Sequence, residues 1–244
     1  MFKTLSKITI LLLLALQYLF AGSVNDGYEE YQKGNNIQAI EIFKKACDDG
    51  SSSGCYNLGL MYYNGTQVEQ EYFKAAEAFS KACDDGHTNA CYNLAYMYQN
   101  GYGVRHDHIK AIELYDRTCK AGLGASCYNI ANMYDTGDGV AKDLFMAVDY
   151  LVKACTLNHP KACYNLATKY KNGDEVEKNL ARAASLYEKS CDLGFAKGCY
   201  NLGVMYVDQG YFMPDYDKAL NLFSKACKAN LKEACVAYEN VLSR

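Results

Sequence analysis

The stretch Lys81-Ala82-Cys83-Asp84-Asp85-Gly86-His87-Thr88-Asn89-Ala90-Cys91-Tyr92-Asn93-Leu94 decides the fold. It reads as the end of one helix, a tight turn on Gly86 and the start of the next helix, with a cysteine on each side of the turn. The arrangement recurs at Cys47 and Cys55, Cys119 and Cys127, Cys155 and Cys163, Cys191 and Cys199, and Cys227 and Cys235. The cysteines of every pair are eight residues apart, and every pair lies 36 residues after the last. A fixed period of roughly 20 to 50 residues marks a solenoid, in which no unit buries its apolar face alone.

Working outward on that period gives a two-helix unit. Helix A carries the pattern small-Cys-Tyr-Asn-Leu-Gly/Ala-x-Met-Tyr at Gly54 to Tyr62, Ala90 to Tyr98, Ser126 to Tyr134, Ala162 to Tyr170 and Gly198 to Tyr206, with Ile130 and Lys169 as departures. Glycine-bearing loops follow, such as Asn100-Gly101-Tyr102-Gly103-Val104 and Thr136-Gly137-Asp138-Gly139-Val140, where positive φ suits a helix end. Helix B opens at Asp107, Asp143 or Asn179, which suit an N-cap. It then places Ala75, Phe79 and Cys83, or Ala111, Tyr115 and Cys119, on one face. Gly50, Gly86, Gly122 and Gly194, with Asn158 and Asn230 in the same slot, end it. A helix from about Val24 to Lys33 and a last helix from about Lys232 to Leu242 depart from the pattern and read as caps.

This pattern resembles the Sel-one-like repeat, a relative of the tetratricopeptide repeat, over essentially all of the mature chain. The cysteine pairs are similar, more narrowly, to the cysteine-rich secreted Hcp family. That resemblance implies an all-α fold, a right-handed α-solenoid of helix-turn-helix repeats (an α/α superhelix). Each cysteine pair would then be a disulfide joining helix B of one unit to helix A of the next. The expected organisation is a signal peptide over about 1–22 and a single solenoid domain over about 23–244. Within it lie a capping unit at about 23–50, repeats at about 51–86, 87–122, 123–158, 159–194 and 195–230, and a C-terminal capping helix at about 231–244.

The signal peptide rests on a short basic stretch holding Lys3 and Lys7, an apolar run from Ile8 to Phe20 too short to span a bilayer, and small residues at Ala21 to Ser23. An uncleaved N-terminal anchor is the alternative, since the cleavage site is not a clean Ala-x-Ala. Export places the chain in the periplasm or outside the cell. Without the two signal lysines, 23 basic residues face 28 acidic ones, about −5, which gives no reason to expect nucleic-acid binding. The mature chain carries no further membrane element and reads as a monomer.

Twelve cysteines and an exported chain permit disulfides. A spacing of eight across a helix-turn-helix junction can bring α-carbons within the roughly 4.4 to 6.8 Å that a disulfide needs. Each ring would stabilise by about 2.5 kcal/mol in the chain-entropy model. Metal binding is the rival, although structural zinc prefers cysteines two to four residues apart in paired sets. No odd cysteine is left over as a reactive thiol.

At 100° per residue, Cys55, Leu58, Gly59 and Tyr62 form the core face of helix A, and Asn57 lies nearly opposite, beside Ser53, Leu60 and Asn64. Packing against helix B thus leaves Asn57, Asn93, Asn129, Asn165 and Asn201 unexplained. Helix A lines the concave side in tetratricopeptide-like solenoids, so the resemblance implies an asparagine ladder along a groove floor. Amide donors and acceptors there suit the backbone or terminal carboxylate of an extended peptide, so the expected partners are such a peptide, a cell-wall fragment, a host or periplasmic protein or, as the Hcp resemblance implies, a β-lactam. Lys161, Lys169 and Lys197 would make the C-terminal half of this groove the more positive. A groove filled by its own side chains, or asparagines bonded between neighbouring helices, is the alternative. The Tyr62, Tyr98, Tyr134, Tyr170 and Tyr206 series reads as core packing. The Tyr56, Tyr92, Tyr128, Tyr164 and Tyr200 series packs between units or rims the groove.

The Hcp resemblance also implies penicillin binding and weak β-lactamase activity. The residues themselves offer little for it: the mature chain has no Ser-x-x-Lys, Ser-Asp-Asn or Lys-Thr-Gly. Thr168-Lys169-Tyr170-Lys171 has the spacing with a threonine as nucleophile. His106-Asp107-His108 is an H-x-H core with Lys110 where a metallo-enzyme wants aspartate, and no metal or other cofactor is expected.

Overall fold

The computed structural model describes residues 24–65, 70–208, 210 and 213–243. The expected signal peptide lies outside them. A helix α1 covers 24–32. After it come α2 (Asn36–Asp48), α3 (Ser52–Asn64), α4 (Tyr72–Asp84), α5 (Thr88–Asn100), α6 (His108–Lys120), α7 (Gly124–Thr136), α8 (Leu144–Thr156), α9 (Pro160–Asn172), α10 (Leu180–Asp192), α11 (Ala196–Val207), α12 (Tyr216–Lys228) and α13 (Lys232–Leu242). The odd members from α3 onward are the A helices, and the even members are the B helices. The chain forms two compact units, one running to Leu114 and the other from Tyr115, the division falling inside α6.

Every B-to-A turn is built alike. Gly50 N–H donates to the Cys47 carbonyl and Ser51 N–H to that of Ala46, and the same pair of bonds recurs at Gly86 and His87, Gly122 and Leu123, Asn158 and His159, Gly194 and Phe195, and Asn230 and Leu231. This is the Schellman closure, which needs a left-handed residue after the helix. Glycine provides it at four turns, and Asn158 and Asn230 provide it at φ 61° and 64°. The residue after the left-handed one is already the N-cap of the next A helix, so the chain reverses with almost no loop.

That reversal holds the two cysteine α-carbons of each pair 4.4 to 5.0 Å apart. All six pairs are disulfides: Cys47 with Cys55, Cys83 with Cys91, Cys119 with Cys127, Cys155 with Cys163, Cys191 with Cys199, and Cys227 with Cys235. Their sulfurs are thereby spent, and no cysteine remains as a thiolate for the zinc alternative. Five of these bridges are buried, Cys127 and Cys199 included, whereas Cys227 and Cys235 at the last turn are half-buried. Small residues beside them let the helices approach: a Cβ on Gly54 would stand 2.7 Å from the Ala46 Cβ. Where both positions are polar, Thr118 Oγ1 donates to Ser126 Oγ at 2.6 Å in a fully buried pair, which leaves neither hydroxyl orphaned.

A-to-B connections repeat another bond. The backbone N–H of Glu71, Asp107, Asp143, Asn179 and Asp215 donates to the carbonyl of Tyr62, Tyr98, Tyr134, Tyr170 and Tyr206. Asp107, Asp143, Asn179 and Asp215 also cap helix B with their side chains. The tyrosines of this series lie half-buried at the edge of the core rather than inside it. Cations of the following B helix sit over four of them, Lys74 on Tyr62, Lys110 on Tyr98, Arg182 on Tyr170 and Lys218 on Tyr206, at 4.6 to 5.4 Å. Tyr134, whose unit has Met146 in place of the cation, stacks on Tyr150 instead.

The core in each unit is the shared face of neighbouring A and B helices. In the first unit Phe43, Leu58, Phe79, Leu94 and Met97 are buried together with the disulfides Cys47–Cys55 and Cys83–Cys91. In the second, Tyr187 packs with Leu202 and Met205, and Phe223 with Ala219 and Val241.

Candidate functional site

The A-helix residues that face away from the B helices converge on two concavities, one in each unit. In the first unit α3 contributes Leu60, Tyr63 and Asn64, and α5 contributes Tyr92, Asn93 and Tyr96, around about 310 Å³. In the second, α7 contributes Ala131, Asn132 and Asp135, and α9 contributes Tyr164, Asn165, Thr168 and Lys169. Leu151 and Asp174 complete a space of about 250 Å³. Positions 72 residues apart correspond, so Asn93 and Asn165, each beside a tyrosine, hold the same place in both. The asparagine series therefore lies on the solvent side of helix A, half-buried at all five positions.

The asparagines are not equivalent in their bonding. Asn201 Nδ2 donates to Tyr164 Oη at 3.3 Å, a link between α11 and α9, and Asn129 is also engaged. Asn57, Asn93 and Asn165 make no side-chain hydrogen bond among the described residues. Their amides are open to water or to a ligand. The two alternatives read from the sequence are thus divided among the members of one series.

Sel1 repeat models match six successive segments of the chain, residues 14–51, 52–87, 88–123, 124–159, 160–195 and 196–231. The chain belongs to the Sel1 repeat family. It is similar to HcpC of Helicobacter pylori strain 26695, a protein named as a β-lactamase, at 46% identity over 44 residues, 18% of this chain and 15% of HcpC. The matched stretch thus spans less than one-fifth of that relative's length. Among solved structures it is similar to a Sel1 repeat protein of Oxalobacter formigenes, with a TM-score of 0.76, 26% identity and 86% of each chain covered. It is also similar to c5321, a protective antigen of uropathogenic Escherichia coli, with a TM-score of 0.74, 25% identity, and 93% of this chain and 50% of that one covered. The fold is the helical-repeat solenoid of these proteins, carrying one disulfide per repeat.

Within the Sel1 repeats the lysines fall into different settings. Lys169, which stands where the other A helices carry methionine, is only 15% exposed and is clasped by Glu175 at 2.8 Å and Asp135 at 3.1 Å. Burial works against its charge, but the hydrogen bonds it donates to Glu175 and Asp135 outweigh that and hold the ammonium above the usual lysine value. With Asp174 also in the lining, the second concavity is not the positive site that the lysine count implied. Lys161 and Lys197 are exposed at the second position of α9 and α11, make no ion pair among the described residues, and do not line the concavity. The sequence spacing could not show that two carboxylates, one from the preceding repeat, close on Lys169.

The Tyr56 series does both things expected of it. Tyr92 and Tyr164 line the concavities. Tyr56 stacks on His87 at 4.4 Å and Tyr128 on His159 at 4.5 Å, while Tyr164 meets Phe195 edge-on. His87 and His159 are helix N-caps, whose Nδ1 accepts from Ala90 and Ala162 N–H. Burial pushes both imidazoles below the ordinary histidine value, and Lys161 adds to this at His159. An acceptor Nδ1 requires the neutral ring. Their position directly after the turn glycine or asparagine is the sequence signal for a cap.

The two motifs with enzyme-like spacing are occupied otherwise. Thr168 Oγ1 donates to the Tyr164 carbonyl at 3.1 Å and bonds Tyr187 Oη at 2.9 Å, and Lys169 is held as described. His106 and His108 have ring centroids 4.2 Å apart, His106 Nε2 points at the Gln99 carbonyl, and Asp107 caps helix α6. Among the described residues no group of three or more His, Cys, Asp or Glu is arranged to hold a metal. No helix among them is long and apolar enough to cross a membrane. Six disulfides in one chain belong to an oxidising, extracytoplasmic compartment.

Proposed function

We propose that this Sel1 repeat chain is an exported scaffold, in the periplasm or outside the cell, that holds extended peptide segments of protein or cell-wall partners on its A-helix faces. The observation that carries this reading is the open amide of Asn93 in one concavity and of Asn165 in the other, each beside a tyrosine, on helices locked by disulfides. A side-chain amide offers a peptide backbone both donor and acceptor, and a rigid frame reduces the ordering cost of binding. The test is fluorescence anisotropy of labelled ten-residue peptides of varied sequence against the oxidised protein and against Asn93→Ala with Asn165→Ala. Binding by the parent that falls about tenfold or more in the double variant supports the reading. A peptide set that binds neither protein, or both equally, rejects it.

The name of HcpC introduces a second reading, slow β-lactam hydrolysis. The 44-residue stretch similar to HcpC favours it, whereas the bonds that occupy Thr168 and Lys169 do not. Hydrolysis of a chromogenic cephalosporin that follows the protein through successive purification steps at constant specific activity would establish it.

A further inference from the structure

We infer that the concavity of the first unit is a site for a proline-rich segment in the polyproline II conformation; this rests on the peptide-binding reading above and specifies its ligand. Its lining contains no charged side chain: Leu60, Tyr63, Tyr92 and Tyr96 surround the amides of Asn64 and Asn93. An occupant's charge or terminus would find nothing there to offset its desolvation, so the contacting face is uncharged.

The ring planes of Tyr63 and Tyr96 are both inclined to that of Tyr102 rather than parallel to it. Tyr102 joins these rings, with Tyr72 stacked on it at 5.0 Å and 15°, Tyr96 tilted at 6.0 Å and 50°, and Tyr63 edge-on at 6.4 Å and 65°. Tyr63 also meets Tyr72 edge-on at 5.4 Å. A pyranose calls for one flat exposed face. Inclined rings instead leave clefts between them, and a pyrrolidine ring fills such a cleft without losing rotamer freedom, since proline has none.

Hydrogen bonding favours the same occupant. A polyproline II strand makes no internal hydrogen bonds, and its prolines present carbonyl acceptors without N–H donors. The wall supplies donors to match, through the Asn93 amide and the hydroxyls of Tyr63 and Tyr96. Burial, followed by the neighbouring tyrosines, raises the Tyr63 hydroxyl above its ordinary value, so it remains an O–H donor. This tyrosine array belongs to the first unit. The positions corresponding to Tyr63, Tyr96 and Tyr102 in the second unit are Asp135, Thr168 and Asp174.

The test titrates an end-blocked, fluorescein-labelled polyproline decapeptide into the oxidised protein, with a Gly/Ser decapeptide and a chito-oligosaccharide as competitors. Saturable binding is expected, weakened about tenfold by Tyr96→Ala, severalfold by Asn93→Ala and not at all by Asn165→Ala. Tyr96 is 38% exposed, so its removal spares the fold. Chemical-shift changes of the Tyr63 and Tyr96 ring protons of the unmutated protein on adding the peptide give a readout independent of any variant. No saturation, equal binding by Tyr96→Ala, or displacement by the saccharide but not by unlabelled polyproline overturns the inference. If other extended peptides still bind in an Asn93- and Asn165-dependent way, only the proline assignment falls; if no peptide binds, the broader reading falls with it.

Discussion

The two concavities share a tyrosine–asparagine pair and differ in nearly everything around it. Tyr92-Asn93 and Tyr164-Asn165 lie at corresponding turns of α5 and α9. Around the first stand Leu60, Tyr63 and Tyr96, and around the second Asn132, Asp135, Thr168 and Lys169. Below the surface Met97, fully buried, corresponds to Lys169, which is partly open and ion-paired. The repeat thus keeps its turn, its disulfide and one amide, while positions facing away from helix B are exchanged without cost to the core. An aromatic, uncharged site and a charge-compensated one can therefore be built on the same backbone.

The strongest way to break this comparison is to transplant the lysine. Met97→Lys puts a cation where the partners Asp135 and Glu175 are replaced by Tyr63 and Gly103, and an uncompensated buried charge costs about 3 to 5 kcal/mol in urea denaturation. A loss under about 1 kcal/mol would show that the carboxylates are not what permits Lys169. Next in size is the staple. Replacing Cys83 and Cys91 together by alanine, or Cys155 and Cys163 together, is expected to cost about 2.5 kcal/mol in each case, because the closed loops have the same length. A marked difference between the two would place the contrast between units in the frame as well as in the concavity.

Smaller still is Lys169→Ala, which leaves Asp135 and Glu175 facing one another and is expected to lose about 1 to 2 kcal/mol. Lys169→Met, the residue of the other repeats, is expected to recover part of that. The histidine caps sharpen the comparison through pH. Both imidazoles have folded values below 6.5, so the unfolded chain takes up protons first. Their contribution to stability is complete above that value and is lost as pH falls through the folded one. NMR titration should show both rings titrating low, with Lys161→Ala raising His159 and leaving His87 unmoved. The smallest effect on stability belongs to Asn93→Ala and Asn165→Ala, within about 0.5 kcal/mol, since neither amide is bonded within the protein. A larger loss would assign those asparagines a structural role.

Much of the architecture was legible in the chain itself. The 36-residue cysteine period, Gly86 and its counterparts, and the acid or amide before each B helix are local signals, and local signals are what helix ends obey. The last helix runs from Lys232 to Leu242, as its pattern implied. The side of helix A that carries Asn57 and Leu60 also followed from a turn of about 100° per residue. The Tyr62 series packs against the core as its angular position implied, but that position does not reveal that a cation from the next helix covers four of the rings and holds them at the core's edge. Lys169 was read as a free positive charge because Asp135 and Glu175 stand 34 residues before and 6 after it, on different elements.

The order of residues alone determined the repeat and its reversals, since these depend on φ preferences within a dozen positions, and it set the cysteines at a spacing that six staples can bridge. Only the tertiary structure decided which open amides remain unbonded, which histidines serve as neutral caps, and that one unit gathers tyrosines where the other balances charge. Those outcomes arise where side chains from successive helices meet, and distance, burial and competition for hydrogen bonds there are set by packing across a full repeat.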